Sequence, residues 1–565
     1  MTALLDARRD IGVIYKVVGT SATAILSRAM DAPVSIAGER IYPGEIGQFV
    51  IVNVDSERIF GRISEIAATN IDIKSSDARN PLHPALAKID LLGTLNVAGR
   101  LTRGIARYPR VGSNVFAARA ESVRVALTLD DTALTLGTFV GHGFSVQVSA
   151  QSLFGRHLAI LGATGGGKSW TVAQMSEMVA SSSGKMVLLD PTGEYATLED
   201  AYHLVIGEAL DEPDSRRVDL PHHHFRDSDR VAFFDPSGGV QLPKMRAAVR
   251  LLRLAHKAEN HETHGVIVQD GIIPEFDSAE VVAATTEFRL AMEDQSSPFN
   301  LERLPEQIVA ICDKTALNNV APLLTRMRDI LQVEEVMKVI RGNTEMDLIL
   351  EIDEWLARPD QPILRISLSE IPSAHSLREL TVNIIGAHLL RAARAGAFNG
   401  CPVVIAIDEA HQFLGAEVGA GQYSLRLDAF ERIAKEGRKY GLNLCVATQR
   451  PSDLPSGFLS QIGTMIVHRV ADGRDRALVE QAAAEMDLNA LRFLPGLRQG
   501  QAIVMGVDLP LPMTVAITPP ASPYDGRNNS SCLSPTFSRA KLQHRLAIPC
   551  KLVTGKIVCF FDWQF

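Results

Sequence analysis

The sequence predicts an α/β protein: a largely parallel sheet around a phosphate-binding loop, split by a helical insertion and preceded by a small β-barrel. Three observations carry this. From about His157 onward, short apolar runs alternate with helical segments. Before about residue 100, many short Val- and Ile-rich runs are separated by turn residues. Between these regions and the second half of the sheet lies Gly162-Ala163-Thr164-Gly165-Gly166-Gly167-Lys168-Ser169, which matches G-x-x-x-x-G-K-S/T at a strand-to-helix junction.

The N-terminal runs are Ile11–Gly19, Ala24–Met30, Gln48–Asp55, Arg58–Ala67 and Lys88–Val97, with turns expected at Gly38, Pro43-Gly44 and Asp55-Ser56. Strands this short and this frequent suggest a barrel or sandwich, here assigned to residues 1–120. Leu134–Val148 adds strand leading into the next domain, residues 121–518. There a strand at His157–Gly162, a helix at Trp170–Ser182 and a strand at Lys185–Asp190 are followed by strands at Ile363–Ser367, Pro402–Asp408, Leu442–Thr448, Thr464–Val470 and Gln501–Val507. Helices are expected at Ser376–Ala395 and Leu425–Arg438. The unbroken apolar run Val403–Ile407 reads as buried on both faces, as strands of a parallel sheet are. Met245–Ala258, Glu280–Met292 and Pro305–Ile340 show helical periodicity and define an insertion at about 243–351.

Composition narrows the class. The 565 residues carry 57 Lys+Arg against 65 Asp+Glu, a net charge of −8. Hydrophobic content of 46% and charged content of 22% exclude wholesale disorder. The acidic balance argues against nucleic-acid binding over the whole surface but leaves room for a small basic channel. No apolar run approaches the roughly 18 residues of a membrane span. Residues 1–10 lack an apolar signal core. Six cysteines without a CxxC make neither a zinc ribbon nor a disulfide framework. The expected setting is the cytoplasm, without a membrane. Residues 519–565 break the composition: from 521 onward they hold six bases and two acids, so the remainder is more acidic than the total. They read as a tail outside the catalytic plan.

The phosphate loop implies specific chemistry. Its glycines let backbone N–H groups converge on phosphate oxygens at a helix N-terminus. Gly162, Ala163, Thr164, Gly165, Gly166, Gly167, Lys168, Ser169 and Trp170 are the expected ATP-binding residues. Lys168 would reach the β- and γ-phosphates, and Ser169 would ligate Mg²⁺. Asp408, at the end of Val403–Ile407, would hold Mg²⁺ through its shell, and Glu409 would orient or deprotonate the attacking water. Asp190, Glu194 and Gln449 also follow strands, where ligands of open α/β sheets sit. They are expected to face the γ-phosphate or its water, the competing explanation being ordinary capping and loop hydrogen bonds. Arg438, taken alone, reads as a cation at a helix C-terminus. His222-His223-His224 is expected to be a solvated loop. Arg246, Arg250, Arg253 and Lys257 share helical spacing and are expected to form a solvated basic face.

Taken together, residues 1–517 resemble the HerA-type ATPases of the HerA/FtsK branch. The resemblance rests on Arg156-His157-Leu158-Ala159-Ile160-Leu161 leading into the phosphate loop and on Asp190-Pro191-Thr192-Gly193-Glu194-Tyr195. It rests further on Ile407-Asp408-Glu409-Ala410-His411, Glu436-Gly437-Arg438-Lys439-Tyr440-Gly441 and Thr448-Gln449-Arg450-Pro451-Ser452. It implies a RecA-like P-loop NTPase core behind a HAS-like barrel. It also implies a homo-hexamer that hydrolyses ATP between subunits and translocates double-stranded DNA. By this comparison Arg438 matches the family's trans-acting arginine segment and Asp190 its acid after the second strand. The family's partners, at the barrel end, are NurA-type nucleases in DNA repair, and sirtuin-like NAD-degrading proteins or other nucleases in antiphage defence. The alternative is an ATP-binding oligomeric scaffold that activates such a partner. A rotary ATPase subunit fits the Gly-Gly-Gly and Arg-Lys-Tyr-Gly segments less well. The tail has no counterpart in the family.

Overall fold

The computed structural model describes the chain apart from residues 1–8, 28–33, 37–38, 42–43, 56, 69–84, 129–133, 183, 208–211, 213, 342–345, 420–423, 483–490, 492, 522–551, 554–555 and 558–565. It divides into two units, Met1–Asp525 and Gly526–Phe565.

The N-terminal strands close on themselves. In order around the ring they are Ser21–Leu26, Asp10–Val18, Asn114–Ala117, Phe49–Val54, Glu57–Ala68 and Ala85–Leu95, the last pairing back with Ser21–Leu26. Period-two burial, clearest in Ser21–Leu26, puts Ala24 and Leu26 inside with Ile14, Val50, Ile63 and Ile89. Register shifts at Ile14/Lys16 and Ile63/Glu65 bend two strands enough to help closure. The strand expected over Ala24–Met30 starts earlier, at Ser21. The turns expected at Gly38, Pro43 and Ser56 fall outside the described residues. One barrel face packs on the second domain. Phe49 stacks on Phe60 at 5.1 Å and meets Phe139 at 5.9 Å. Arg103 Nη2 donates to the Gly506 carbonyl at 2.8 Å.

Among the described residues, the second domain holds a twelve-stranded sheet. From one edge its order is Ser145–Val148, Leu134–Phe139, Met513–Ile517, Gln501–Gly506, Ile462–Val467, His157–Leu161, Leu442–Thr448, Val403–Ile407, Lys185–Asp190, Ile363–Ser367, Ala201–Ile206 and Arg216–Val218. Ile462–Val467 and all that follow it in this order run parallel, and the other four extend the edge antiparallel. The central strands are buried at every position, which is why they lack polar alternation. Parallel pairing brings the carboxyl ends of four neighbours to one sheet edge. Leu161 stands opposite Thr448, Ile407 opposite Val446, and Leu189 opposite Ile407.

The insertion is helical, at Asp227–Phe234, Gln241–Ala258, Ala279–Glu287, Arg289–Glu293, Leu304–Ala310, Lys314–Gln332, Glu334–Ile340 and Leu348–Ala357. The stretch of helical periodicity over Pro305–Ile340 is three helices. Asp313 caps the second, its Oδ1 accepting from the Ala316 N–H at 2.7 Å, and Val333 in extended backbone separates the third. The basic face expected on Gln241–Ala258 is also divided. Arg253 is buried and donates to the carbonyls of Met292 and Gln295, while Arg246 pairs with Asp227 at 2.6 Å. The helix expected over Leu425–Arg438 is shorter, Ala429–Glu436, because Leu425–Arg426 pairs with Glu417–Val418 in a hairpin. Buried Asn383 accepts from the Ala429 N–H at 3.1 Å and fixes the helix start. In the second unit the described residues are one antiparallel pair, Leu552–Val553 with Lys556–Ile557.

Candidate nucleotide site

The phosphate loop lies between His157–Leu161 and the helix Lys168–Ala180. Gly167 sits at the helix N-cap with φ 112°, a left-handed backbone that glycine adopts without strain. Gly162 is required for space: a Cβ there would stand 2.6 Å from His468 Cβ. His468 is fully buried beneath the loop. A carbonyl can only accept, so Nδ1 donates to Gln501 O at 3.0 Å, and Nε2 then accepts from the Thr171 hydroxyl at 2.9 Å. Burial, with Lys168 nearby, lowers the His468 pKa to about 4 and keeps the ring neutral. Nothing in the sequence motifs marked His468 or Thr171 for this support; the loop's glycines, which leave room for a neighbour, were the available signal.

Lys168 is buried, and its Nζ donates to the Ala163 carbonyl at 3.4 Å. Burial lowers its pKa, opposed by the carboxylates of Glu409, Asp408 and Glu194. Those acids arrive from the neighbouring strands. Asp408 is buried, and burial together with the Glu409 charge pushes its pKa up to about 7. Tyr195 donates its hydroxyl to Asp408 Oδ2 at 2.9 Å, and the Glu409 N–H donates to Oδ1 at 2.8 Å. Glu409 takes φ 46° and ψ 42°, a left-handed backbone uncommon for a side-chain-bearing residue. Its Oε1 accepts from Gln449 Nε2. Its Oε2 is buried without a hydrogen bond, 3.4 Å from His411 Nδ1. The other end of the Gln449 amide, Oε1, accepts from the Thr164 hydroxyl. A carboxylate only accepts, so the amide orientation follows from its neighbours. One side chain thus bridges the phosphate loop and Glu409.

Asp190 is placed differently from the expectation that it faces the γ-phosphate. It is fully buried. Oδ1 accepts from the N–H groups of Thr192, Gly193 and Glu194, at 2.8 Å for Gly193. Oδ2 accepts from the Tyr195 N–H at 3.1 Å and from Arg365 Nε at 2.8 Å. Both oxygens are therefore engaged in shaping the turn that presents Tyr195 to Asp408. Arg365, equally buried, also donates to Glu212 at 2.7 Å. Removing one partner of a buried ion pair strands the other charge. Arg365→Met is expected to cost about 3–5 kcal/mol, read as a large fall in the thermal midpoint; an unchanged midpoint would contradict the assignment.

Arg438 is exposed in a short 3₁₀ turn, Gly437–Tyr440, before the strand Leu442–Thr448. It lies at the opposite end of that strand from Gln449. At about 3.3 Å per residue, the strand separates them by about 20 Å. Trp170 is 43% exposed on the first turn of its helix.

A phosphate loop on a parallel sheet, with an Asp-Glu pair two strands away, matches known proteins along most of the chain. Residues 134–392 match the family described as "Helicase HerA, central domain". A probable helicase of Methanocaldococcus jannaschii is 26% identical over 85% of this chain and 91% of its own. The DNA double-strand break repair helicase HerA of Saccharolobus solfataricus is 24% identical over 87% and 91%. That of Pyrococcus furiosus is 26% identical over 66% and 67%. The chain is an ATPase similar to the HerA helicases along most of its length. The barrel and the P-loop α/β core agree with the expected fold. No helix among the described residues is long and apolar enough to cross a membrane.

Proposed function

We propose that this ATPase is a ring-forming motor, a homo-hexamer, that couples ATP hydrolysis to movement along double-stranded DNA. The observation that carries the proposal is the position of Arg438, about 20 Å along a strand from its own phosphate loop. An arginine there serves catalysis only in a neighbour's site, so the site is complete only between subunits. The names of the relatives, DNA repair helicases, support DNA as the track.

The residues fit magnesium. Ser169 at the helix start and buried Asp408 are hard oxygen donors of the kind the ion takes. The raised Asp408 pKa and the Glu409 oxygen without a hydrogen bond mark a site short of positive charge. Bound magnesium supplies that charge at the phosphate oxygens. Within the chain, Lys168 and the loop N–H groups bind and orient the triphosphate. Glu409 Oε2 takes the proton of the attacking water. Gln449 holds Glu409 Oε1 and senses the loop through Thr164. Glu194 lies near enough to Lys168 to affect its charge and lines the site. Asp190 acts as a positioning residue through Tyr195. Trp170 flanks the loop as part of the ATP-binding set.

A second reading is an oligomeric scaffold that activates a bound enzyme, a NurA-type nuclease or a sirtuin-like protein, at the barrel end. ATP turnover separates the two readings. Several-fold stimulation by duplex DNA is expected. Stimulation by the partner protein alone, with none from DNA, would favour the scaffold.

A further inference from the structure

The loop His222-His223-His224 is not a solvated run. It forms a 3₁₀ turn just after the strand Arg216–Val218. His222 is buried, its ring nitrogens 2.8 Å from Phe299 O and 3.2 Å from Ile340 O. With His222 anchored, the next two rings lie together, centroids 4.3 Å apart. Their Nε2 atoms approach one oxygen, Asp347 Oδ2, at 3.7 Å from His223 and 2.7 Å from His224. We propose that His223, His224 and Asp347 bind a divalent transition-metal ion of the zinc class, which clips the start of the helical insertion to its end.

Donor chemistry selects the ion. Two imidazole nitrogens and one carboxylate oxygen suit zinc and its neighbours, whereas magnesium and calcium prefer oxygen throughout. Zinc takes such ligands at about 2.0–2.2 Å, which in a tetrahedron separates donors by about 3.3 Å. The observed 2.7 and 3.7 Å bracket that spacing, and all three donor atoms lie within 4.8 Å of one another. The carboxylate is pre-oriented. Asp347 caps the helix Leu348–Ala357, its Oδ1 accepting from the N–H groups of Ile349 at 2.8 Å and Leu350 at 3.3 Å. That leaves Oδ2 turned to the imidazoles, the outer support that metal ligands commonly have. The His223 and His224 side chains are 21% and 18% exposed, which lets water complete the shell.

Charge points the same way. Asp219 pairs with the Asp347 segment through its backbone, with Leu348 N donating to Asp219 O at 2.9 Å. Asp219 Oδ1 is buried without a hydrogen bond, and Arg217 Nη2, from a half-exposed side chain, is 3.7 Å away. Two buried carboxylates on paired segments favour a nearby cation. The topology supplies a purpose. His224 and Asp347 are 123 positions apart, and all but the last of the insertion's helices lie between them. A metal bond would close that long segment at its base.

The test uses the full chain without a histidine tag, stripped with EDTA and titrated with Zn²⁺ against a chromophoric chelator, with no magnesium or nucleotide. One tight zinc per subunit is expected, with a higher thermal midpoint. His223→Gln, His224→Gln and Asp347→Asn, which keeps the capping oxygen, are each expected to weaken binding about tenfold or more. His261→Gln with His264→Gln, at another histidine pair of the insertion, should leave it unchanged. Co²⁺ should give visible absorption bands in the wild type. Absence of stoichiometric zinc and of the cobalt bands in the folded wild type overturns the proposal, whatever the variants do. So does zinc binding that survives His223→Gln and His224→Gln, which would leave a plain His–Asp hydrogen bond.

Discussion

Glu409→Gln is expected to lower ATP turnover about 10²–10⁴-fold, the usual weight of a general base, while nucleotide affinity changes little. The substitution is nearly isosteric. Gln449 Nε2 can still donate to the Oε1 position, so the bridge to Thr164 survives. What is lost is the second oxygen, buried without a hydrogen bond beside His411. That oxygen can accept a proton without breaking a hydrogen bond. Single-turnover kinetics is the proper readout, because product release can mask the chemical step. Full hydrolysis by Glu409→Gln would remove Glu409 from the mechanism.

The second large effect belongs to Arg438. A trans-acting arginine contributes about 10³–10⁵ to phosphoryl transfer, so Arg438→Ala is expected to be nearly inactive although its own phosphate loop is intact. The decisive form of the experiment mixes subunits. Lys168→Ala removes a loop's grip on phosphate, and Arg438→Ala removes the arginine offered to the neighbour. If Arg438 acts across the interface, a mixture recovers activity where an intact loop meets an intact arginine. If Arg438 acts within its own chain, the mixture gains nothing. The distance along the strand Leu442–Thr448 argues for recovery.

Much of this arrangement is legible in residue order. Unbroken apolar runs such as Val403–Ile407 mark the parallel core, and the phosphate loop and Asp408-Glu409 mark the sheet edge where chemistry gathers. Short Val- and Ile-rich runs and turn spacing mark the barrel. What stays hidden depends on contacts between distant segments. Asp190 looks like a phosphate-facing acid because it ends a strand, yet Arg365, 175 positions away, engages it from the neighbouring strand. His468 supports the phosphate loop from a strand end with no motif of its own. Adjacent histidines normally diverge, and the His222 anchor that turns His223 and His224 toward Asp347 is tertiary. The break before Ala429 likewise comes from a hairpin and from Asn383, neither visible in helical periodicity.

Movement along duplex DNA is best tested by displacement of a third strand from a triplex, which needs translocation but no unwinding of the duplex. With ATP, the wild-type protein is expected to release the third strand from long duplex flanks, while Glu409→Gln holds nucleotide and releases none. Steady ATP hydrolysis with the third strand left in place at every flank length would contradict the motor and leave an ATPase that does not move on DNA.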